Sequence, residues 1–257
     1  MFEARLKEAL LLKKVVEAIK DLVTDVNFEV TAEGVSVQAM DASHVALVAL
    51  LLKASEFEEY RCDRPQTLGI SVANLAKIIK IAANDDAVVL RAEDDASFVT
   101  LIFEGKTEDK VSEFTLNLLT LDSEHLGIPD QEYAANVTMS SGEFSRICRE
   151  LTQITDTLNI SVDKNNIKFS VSGDIGGGSI TLKRNDSEKS EERLLLEVTE
   201  GVNMAFALRY LNLFNKAASL GDTVVLSMSP EVPVVVQFAF EIGELKYFLA
   251  PKISEEA

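Results

Sequence analysis

The residues of this 257-residue chain best placed to do chemistry are nine lysines and arginines: Lys13, Lys14 and Lys20, then Lys77 and Lys80, then Arg146 and Arg149, then Arg209 and Lys216. Their chemistry is electrostatic. Ammonium and guanidinium groups neutralise phosphate and release its counterions without reading any base. The background makes them conspicuous, because 25 Lys and Arg stand against 42 Asp and Glu, for a formal net charge of −17. A charged helix face is ordinarily just a solvated face. Four such faces in register within an acidic chain point instead to a scaffold that presents a basic surface to a polyanion.

Other chemistry finds little support. His44 and His125 are the only histidines, and no HExxH, CxxC or cluster with metal-ligand spacing accompanies them. No cofactor is expected. The stretch Gly173-Asp-Ile-Gly-Gly-Gly-Ser179 lacks the Gly-Lys-Ser/Thr ending of a phosphate loop and reads as a tight turn beside a strand. Acidic runs at Asp85-Asp86, Glu93-Asp-Asp95 and Glu255-Glu256 read as solvated loops or terminus, not as acid/base pairs. Cys62 and Cys148 are too few and too far apart for a disulfide framework and are expected as reduced, packed thiols. The Asn136-Val-Thr138, Asn159-Ile-Ser161 and Asn185-Asp-Ser187 tripeptides match the glycosylation pattern but carry no meaning in an intracellular chain.

The elements that must position the basic residues follow from periodicity. Leu12, Val15, Ile19 and Leu22 form one apolar stripe; so do Val72, Leu75 and Ile79, then Phe144, Ile147 and Leu151, then Leu208, Leu211 and Phe214. The cations fall outside each stripe. Between these helices lie short β-branched runs such as Val45 to Leu52, Phe98 to Phe103, Val111 to Leu116, Gly178 to Leu182 and Leu245 to Leu249, separated by Asp, Asn, Gly or Glu. The fold class expected is α+β with antiparallel sheets, the helices lying across one face with their basic sides turned away.

An internal duplication sets the register. Leu75 to Leu90 lies over Leu211 to Leu226 without a gap, matching Lys80 to Lys216 and Asp86 to Asp222, and Lys14, Val15, Ile19 and Leu22 lie over Arg146, Ile147, Leu151 and Ile154. A period this long means two similar domains. We expect an N-terminal domain over 1–117, a connecting loop over 118–133 and a C-terminal domain over 134–257. Gly127 and Pro129 break regular structure in the loop, whose Leu121, Leu126 and Ile128 either pack on a domain or meet a partner. No apolar run reaches membrane-spanning length and no secretory signal pattern opens the chain, so an intracellular location without membrane contact is expected.

Several segments resemble one family. Met1-Phe-Glu-Ala-Arg-Leu6, Gln38-Ala-Met-Asp-Ala-Ser-His-Val-Ala-Leu47, Tyr60-Arg-Cys-Asp63, Leu126-Gly-Ile-Pro129, Gly142-Glu-Phe-Ser-Arg-Ile-Cys-Arg149 and Leu249-Ala-Pro-Lys252 resemble the proliferating cell nuclear antigen family of sliding clamps, over the whole chain. The resemblance implies a non-enzymatic, nuclear processivity factor for replication, repair and translesion synthesis. Three chains would form a ring with helices lining the hole and sheets outside, encircling double-stranded DNA without sequence preference. The nine cations would line the hole, with Lys110 near them on a strand. Clients would dock through a glutamine and a hydrophobic plug at Met40, His44, Val45, Leu47, Leu126, Ile128, Pro233, Phe248, Ala250, Pro251 and Ile253. They would include the clamp loader, the replicative DNA polymerase, flap endonuclease and DNA ligase. Subunits would join by strand pairing of Val111, Phe114 and Leu116 with Ile175, Gly178, Ile180 and Leu182 of a neighbour, and Lys164 would carry ubiquitin. Thr120, Phe248 and the segment Arg184 to Arg193 depart from the commonest pattern, and Phe248 lacks a hydroxyl that a tyrosine would offer a client. Two rivals are weighed beside it. A monomeric protein-recruiting adaptor leaves the four basic faces unexplained, and an acidic hydrolase lacks a paired acid and base.

Overall fold

The computed structural model describes residues 1–107, 109–122, 126–128, 131–185, 189 and 193–252. The chain forms two compact units. The first holds Met1–Ala42, Val48–Gly127 and Phe240–Leu245; the second holds Ser43–Leu47, Ile128–Ala239 and, among the described residues, 246–252.

The first copy of the repeat runs β1 (Phe2–Leu6), α1 (Ala9–Ile19), β2 (Asp25–Thr31), β3 (Gly34–Met40), β4 (Ala46–Lys53), β5 (Glu59–Cys62), β6 (Gln66–Ser71), α2 (Val72–Ile79), β7 (Ala87–Ala92), β8 (Phe98–Glu104) and β9 (Val111–Asn117). The second runs β10 (Ala135–Ser140), α3 (Ser141–Leu151), β11 (Thr157–Val162), β12 (Asn166–Gly173), β13 (Gly176–Lys183), β14 (Leu195–Val198), β15 (Val202–Ala207), α4 (Leu208–Phe214), β16 (Thr223–Met228), β17 (Val234–Phe240) and β18 (Gly243–Leu249). Strand orders repeat with it. The first copy pairs its strands as β5-β1-β7-β8-β9 and β4-β3-β2-β6, the second as β14-β10-β16-β17-β18 and β13-β12-β11-β15. Raising every strand number of the first copy by nine gives the second, so the sequence duplication is a duplication of topology.

Backbone latches repeat too. The first amide of α1, Ala9 N–H, donates to Asp86 O (2.8 Å), and that of α3, Ser141 N–H, donates to Asp222 O (2.9 Å). Val72 N–H at the start of α2 donates to Thr24 O (2.9 Å), and Leu208 N–H at the start of α4 to Asp156 O (2.8 Å). These bonds satisfy donors that a helix start leaves without an intrahelical acceptor. They explain why α1, α2 and α4 begin without a side-chain cap, whereas α3 adds one from Ser140 Oγ, which accepts from Glu143 N–H at 3.3 Å.

The apolar stripes become the core. Leu12, Val15, Ile19 and Leu22 are buried, as are Val72, Leu75, Ile79, Phe144, Ile147, Leu151, Leu208, Leu211 and Phe214. Helix α1 starts before the stripe and ends at Ile19, so Leu22 is buried from the turn that follows. Strands β1, β4 up to Leu52, β10, β16 and β18 alternate buried and half-buried residues. Asp86 departs from the solvated-loop expectation. It is buried, its carboxylate accepts from Ala83 N–H at 2.7 Å and its carbonyl holds α1, while Asp85 beside it is exposed. The glycine stretch is the β12–β13 hairpin, closed by Gly173 opposite Gly176, in keeping with the turn reading. Among the described residues no helix is long and apolar enough to cross a membrane.

Candidate nucleic-acid interface

With the apolar stripes buried, the cations lie off them: Lys77, Lys80, Arg149, Arg209 and Lys216 are exposed, and Lys13, Lys14, Lys20 and Arg146 are half-buried. On α2, Lys77 and Lys80 are exposed and no acid lies between Val72 and Ile79. Lys80 has no ion pair among the described residues, and Lys77 reaches only Asn74 Oδ1, at 3.5 Å. Arg209 on α4 is exposed, its guanidinium carbon 4.9 Å from the centre of the Tyr210 ring, a cation–π contact that leaves its edge open. Lys216 is exposed on the 3-10 segment Asn215–Ser219 that continues α4. Lys110 is exposed just before β9, and Arg149 is exposed in the last turn of α3, where a cation suits the helix dipole.

Lys13, Lys20 and Arg146 are already engaged. Lys13 Nζ donates to Ala82 O (2.6 Å) and Asn84 Oδ1 (3.0 Å), tying α1 to the chain that leaves α2. Lys20 sits 2.6 Å from Glu17, and that hydrogen bond raises its pKa. Arg146 is held by two carboxylates of its own helix, Glu143 at 2.6 Å and Glu150 at 2.7 Å. Its pKa rises, chiefly through the bond to Glu143, whose own pKa falls in return. Lys14 is half-buried on α1. Stripe periodicity says which side of a helix a cation occupies; the Glu-x-x-Arg-x-x-x-Glu spacing of α3 is the sequence signal that it is already paired.

Of the residues expected to meet clients, Met40 and Leu126 belong to the first unit and are half-buried. In the second unit Val45, Leu47, Ile128, Phe248 and Pro251 are half-buried, and His44, Pro233 and Ala250 are exposed. Leu47 on β4 and Phe248 on β18 alternate with buried neighbours, so both face away from the core. Ala250 N–H donates to Val45 O at 3.1 Å, which brings those two together. His44 takes a positive φ of 54° at the turn into β4, a conformation uncommon outside glycine. Ile253 and Pro129 lie outside the described residues.

The expected joining strands are both sheet edges. On β9, Val111 is 63% exposed and Phe114 is half-buried against Phe103, whereas Leu116 is buried inside its own unit. Along β13, Gly178 is exposed and Ile180 and Leu182 are half-buried; Ile175, just before it, is 79% exposed. Lys164 is exposed at a turn fixed by Asp163, whose carboxylate accepts from Asn165 N–H (2.7 Å) and Asn166 N–H (3.0 Å), bonds that lower its pKa.

The loop after β9 and the tail after β18 behave alike. Leu119 N–H donates to Gly69 O on β6, and Lys252 N–H donates to Ala205 O on β15, both at 2.8 Å. Gly69 and Ala205 are the same place in the repeat, so in repeat terms the connecting loop begins as the tail of the first copy. Nothing in its composition announces this.

Two family models match the chain. That of the proliferating cell nuclear antigen N-terminal domain covers residues 1–125, and that of the proliferating cell nuclear antigen C-terminal domain covers residues 127–253.

Proposed function

Because the chain belongs to the proliferating cell nuclear antigen family of DNA sliding clamps, a family of non-enzymatic processivity factors, we propose that three copies close into a ring around duplex DNA. The observation that carries this is a difference between equivalent edges. In the first unit the segment Phe240–Leu245 runs beside β4, with Lys53 N–H donating to Ile242 O at 2.9 Å, and β4 buries every second residue. Its repeat counterpart β13 has no strand beyond it among the described residues and leaves Ile180 and Leu182 half-covered. Likewise β9, the counterpart of β18, ends its sheet. Pairing β9 of one copy with β13 of the next would cover both edges, and in the ring proposed here no such edge is left over.

Three chains would carry 3 × −17 = −51 formal charges, so a ring repels DNA everywhere except along helices bearing Lys77, Lys80, Arg149, Arg209 and Lys216. Contacts to phosphate alone let it slide. Topological closure, not affinity, then retains it on DNA. Met40 and Leu126 of the first unit and Val45, Leu47, Ile128 and Phe248 of the second are each half-buried, apolar and adaptable, and are the side chains proposed to meet clients carrying a glutamine and a hydrophobic plug: the clamp loader, replicative polymerase, flap endonuclease and ligase. A nuclear location and modification at the exposed turn residue Lys164 complete the proposal. Solution mass tests it. Light scattering at micromolar concentration is expected to give about 84.6 kDa, three times 28.2 kDa, and a persistent 28.2 kDa species would sink the ring and leave the adaptor. Leu126→Ala with Ile128→Ala is expected to abolish binding of a client peptide without changing that mass.

A further inference from the structure

We infer that Arg146 takes no phosphate, and that of the two helices of the second unit α3 is electrically neutral and α4 carries the phosphate contacts; the inference rests on the proposed meeting of these helices with duplex DNA. Arg146 Nε and Nη2 grip both oxygens of Glu143 at 2.9 and 2.6 Å, and Nη1 donates to Glu150 Oε2 at 2.7 Å. Three of its five N–H donors are committed to carboxylates, and the two that remain sit between those same carboxylates and solvent. A bidentate pair of this kind is among the stronger polar contacts a surface makes. The clip as a whole carries two carboxylates against one guanidinium, so an approaching phosphate meets net negative charge.

The clip belongs to the second copy alone. Arg146 matches Lys14 in the repeat, but the positions matching Glu143 and Glu150 are Leu11 and Ala18, which cannot pair with it. Helices α2 and α4 carry no acid at all. Phosphate binding therefore concentrates on the exposed cations of α2 and α4, and on α3 only Arg149 remains for it. Arg146 is a positioning residue, holding Glu143 in the first turn, where that carboxylate also suits the helix start.

Salt dependence of association with a short fluorescent duplex, followed by anisotropy on the full chain between about 50 and 200 mM salt, separates the possibilities. Lys80→Gln is expected to weaken binding and to flatten the log–log salt slope by about 0.9 for each phosphate that is no longer neutralised. Replacing the whole clip, Glu143→Gln with Arg146→Gln and Glu150→Gln, is expected to leave binding as tight as the original or tighter, with the slope unchanged. Glu143→Gln with Glu150→Gln, which releases Arg146, is expected to tighten binding and steepen the slope by about 0.9. Weaker binding and a flatter slope in the triple variant, or no tightening in the double variant, would overturn the assignment. Failure of Lys80→Gln to weaken binding would instead remove the basic surface itself, and this inference with it.

Discussion

In the first copy, Val16 of α1 and Ile79 of α2 are both buried and apolar, while the same two places in the second copy hold Cys148 of α3 and Asn215 at the end of α4. The starts of the helices are held alike in the two copies, because each helix pair hangs from the same carbonyls through the same latches. Between the helices the chemistry differs sharply. The Asn215 amide is buried, and among the described residues neither its nitrogen nor its oxygen has a hydrogen-bond partner. The Cys148 thiol, its pKa pushed up to about 12 chiefly by burial, faces the amide closely enough for it to act against that rise, but no bond of normal geometry forms. Helix α2 stays α-helical through Ile79, whereas α4 gives way to a 3-10 segment that begins at Asn215. The difference teaches that the latches carry the repeat, and that the layer between the helices drifts at a cost in stability.

If so, the two pairs respond oppositely to exchange. The largest effect belongs to Ile79→Asn, which puts the second copy's amide into the first copy's apolar layer. It gives up the burial of a large side chain and strands a polar group, and is expected to cost about 3–5 kcal/mol in urea unfolding. A cost near zero would mean the first layer tolerates amides and the comparison is empty. The reverse change is smaller. Asn215→Val removes an unsatisfied amide and is expected to stabilise by about 1–3 kcal/mol, read as a higher urea midpoint at unchanged slope. A loss of stability would show that the amide has a partner after all.

The same logic reaches the sheet edges. A methyl group on Gly69 would lie 2.1 Å from Leu119 O, whereas Ala205 at the matching place already carries one beneath Lys252. Gly69→Ala is expected to break the Leu119 bond, cost about 1–2 kcal/mol and speed proteolysis within 118–133. Unchanged cleavage would mean the first copy has the same clearance as the second.

How much of this is legible in sequence depends on the kind of residue. Each helical stripe is written as spacing, and every stripe residue from Leu12 to Phe214 is buried as that spacing demands. Strand β5 is four residues of Glu, Tyr, Arg and Cys, too short and too polar for alternation to mark, and exists because β1 pairs with it through Phe2 opposite Cys62 and Arg5 opposite Glu59. Asp86 reads as a loop acid because its role depends on Ala83 and Ala9, and a pattern confined to its own neighbours does not contain the second. The cations are legible as a class, but not their availability: Lys13 is engaged by Ala82 and Asn84, some seventy residues along the chain. Arg146 and Lys20 are the readable exceptions, since their carboxylate partners lie within four residues along the chain.

The smallest effect should come from the other half of the drifted layer. Cys148→Val restores the residue found at Val16 and changes volume little, so it is expected to alter stability by less than about 1.5 kcal/mol. Its chemical consequence is clearer than its energetic one. Both thiols are pushed above their ordinary pKa by burial, but Cys148 is fully buried in α3 while Cys62 is half-buried at the end of β5, donating to Arg64 O at 3.1 Å. The thiolate is the reactive form, and access governs what remains. At mildly alkaline pH a disulfide reagent is therefore expected to modify Cys62 first, with Cys148 reacting only as the protein unfolds. The gap between the two rates should narrow in Asn215→Ala, where an opened layer lets reagent in; equal rates in the unaltered protein would mean the α3–α4 layer opens on its own, and that its drift has cost more than a single amide.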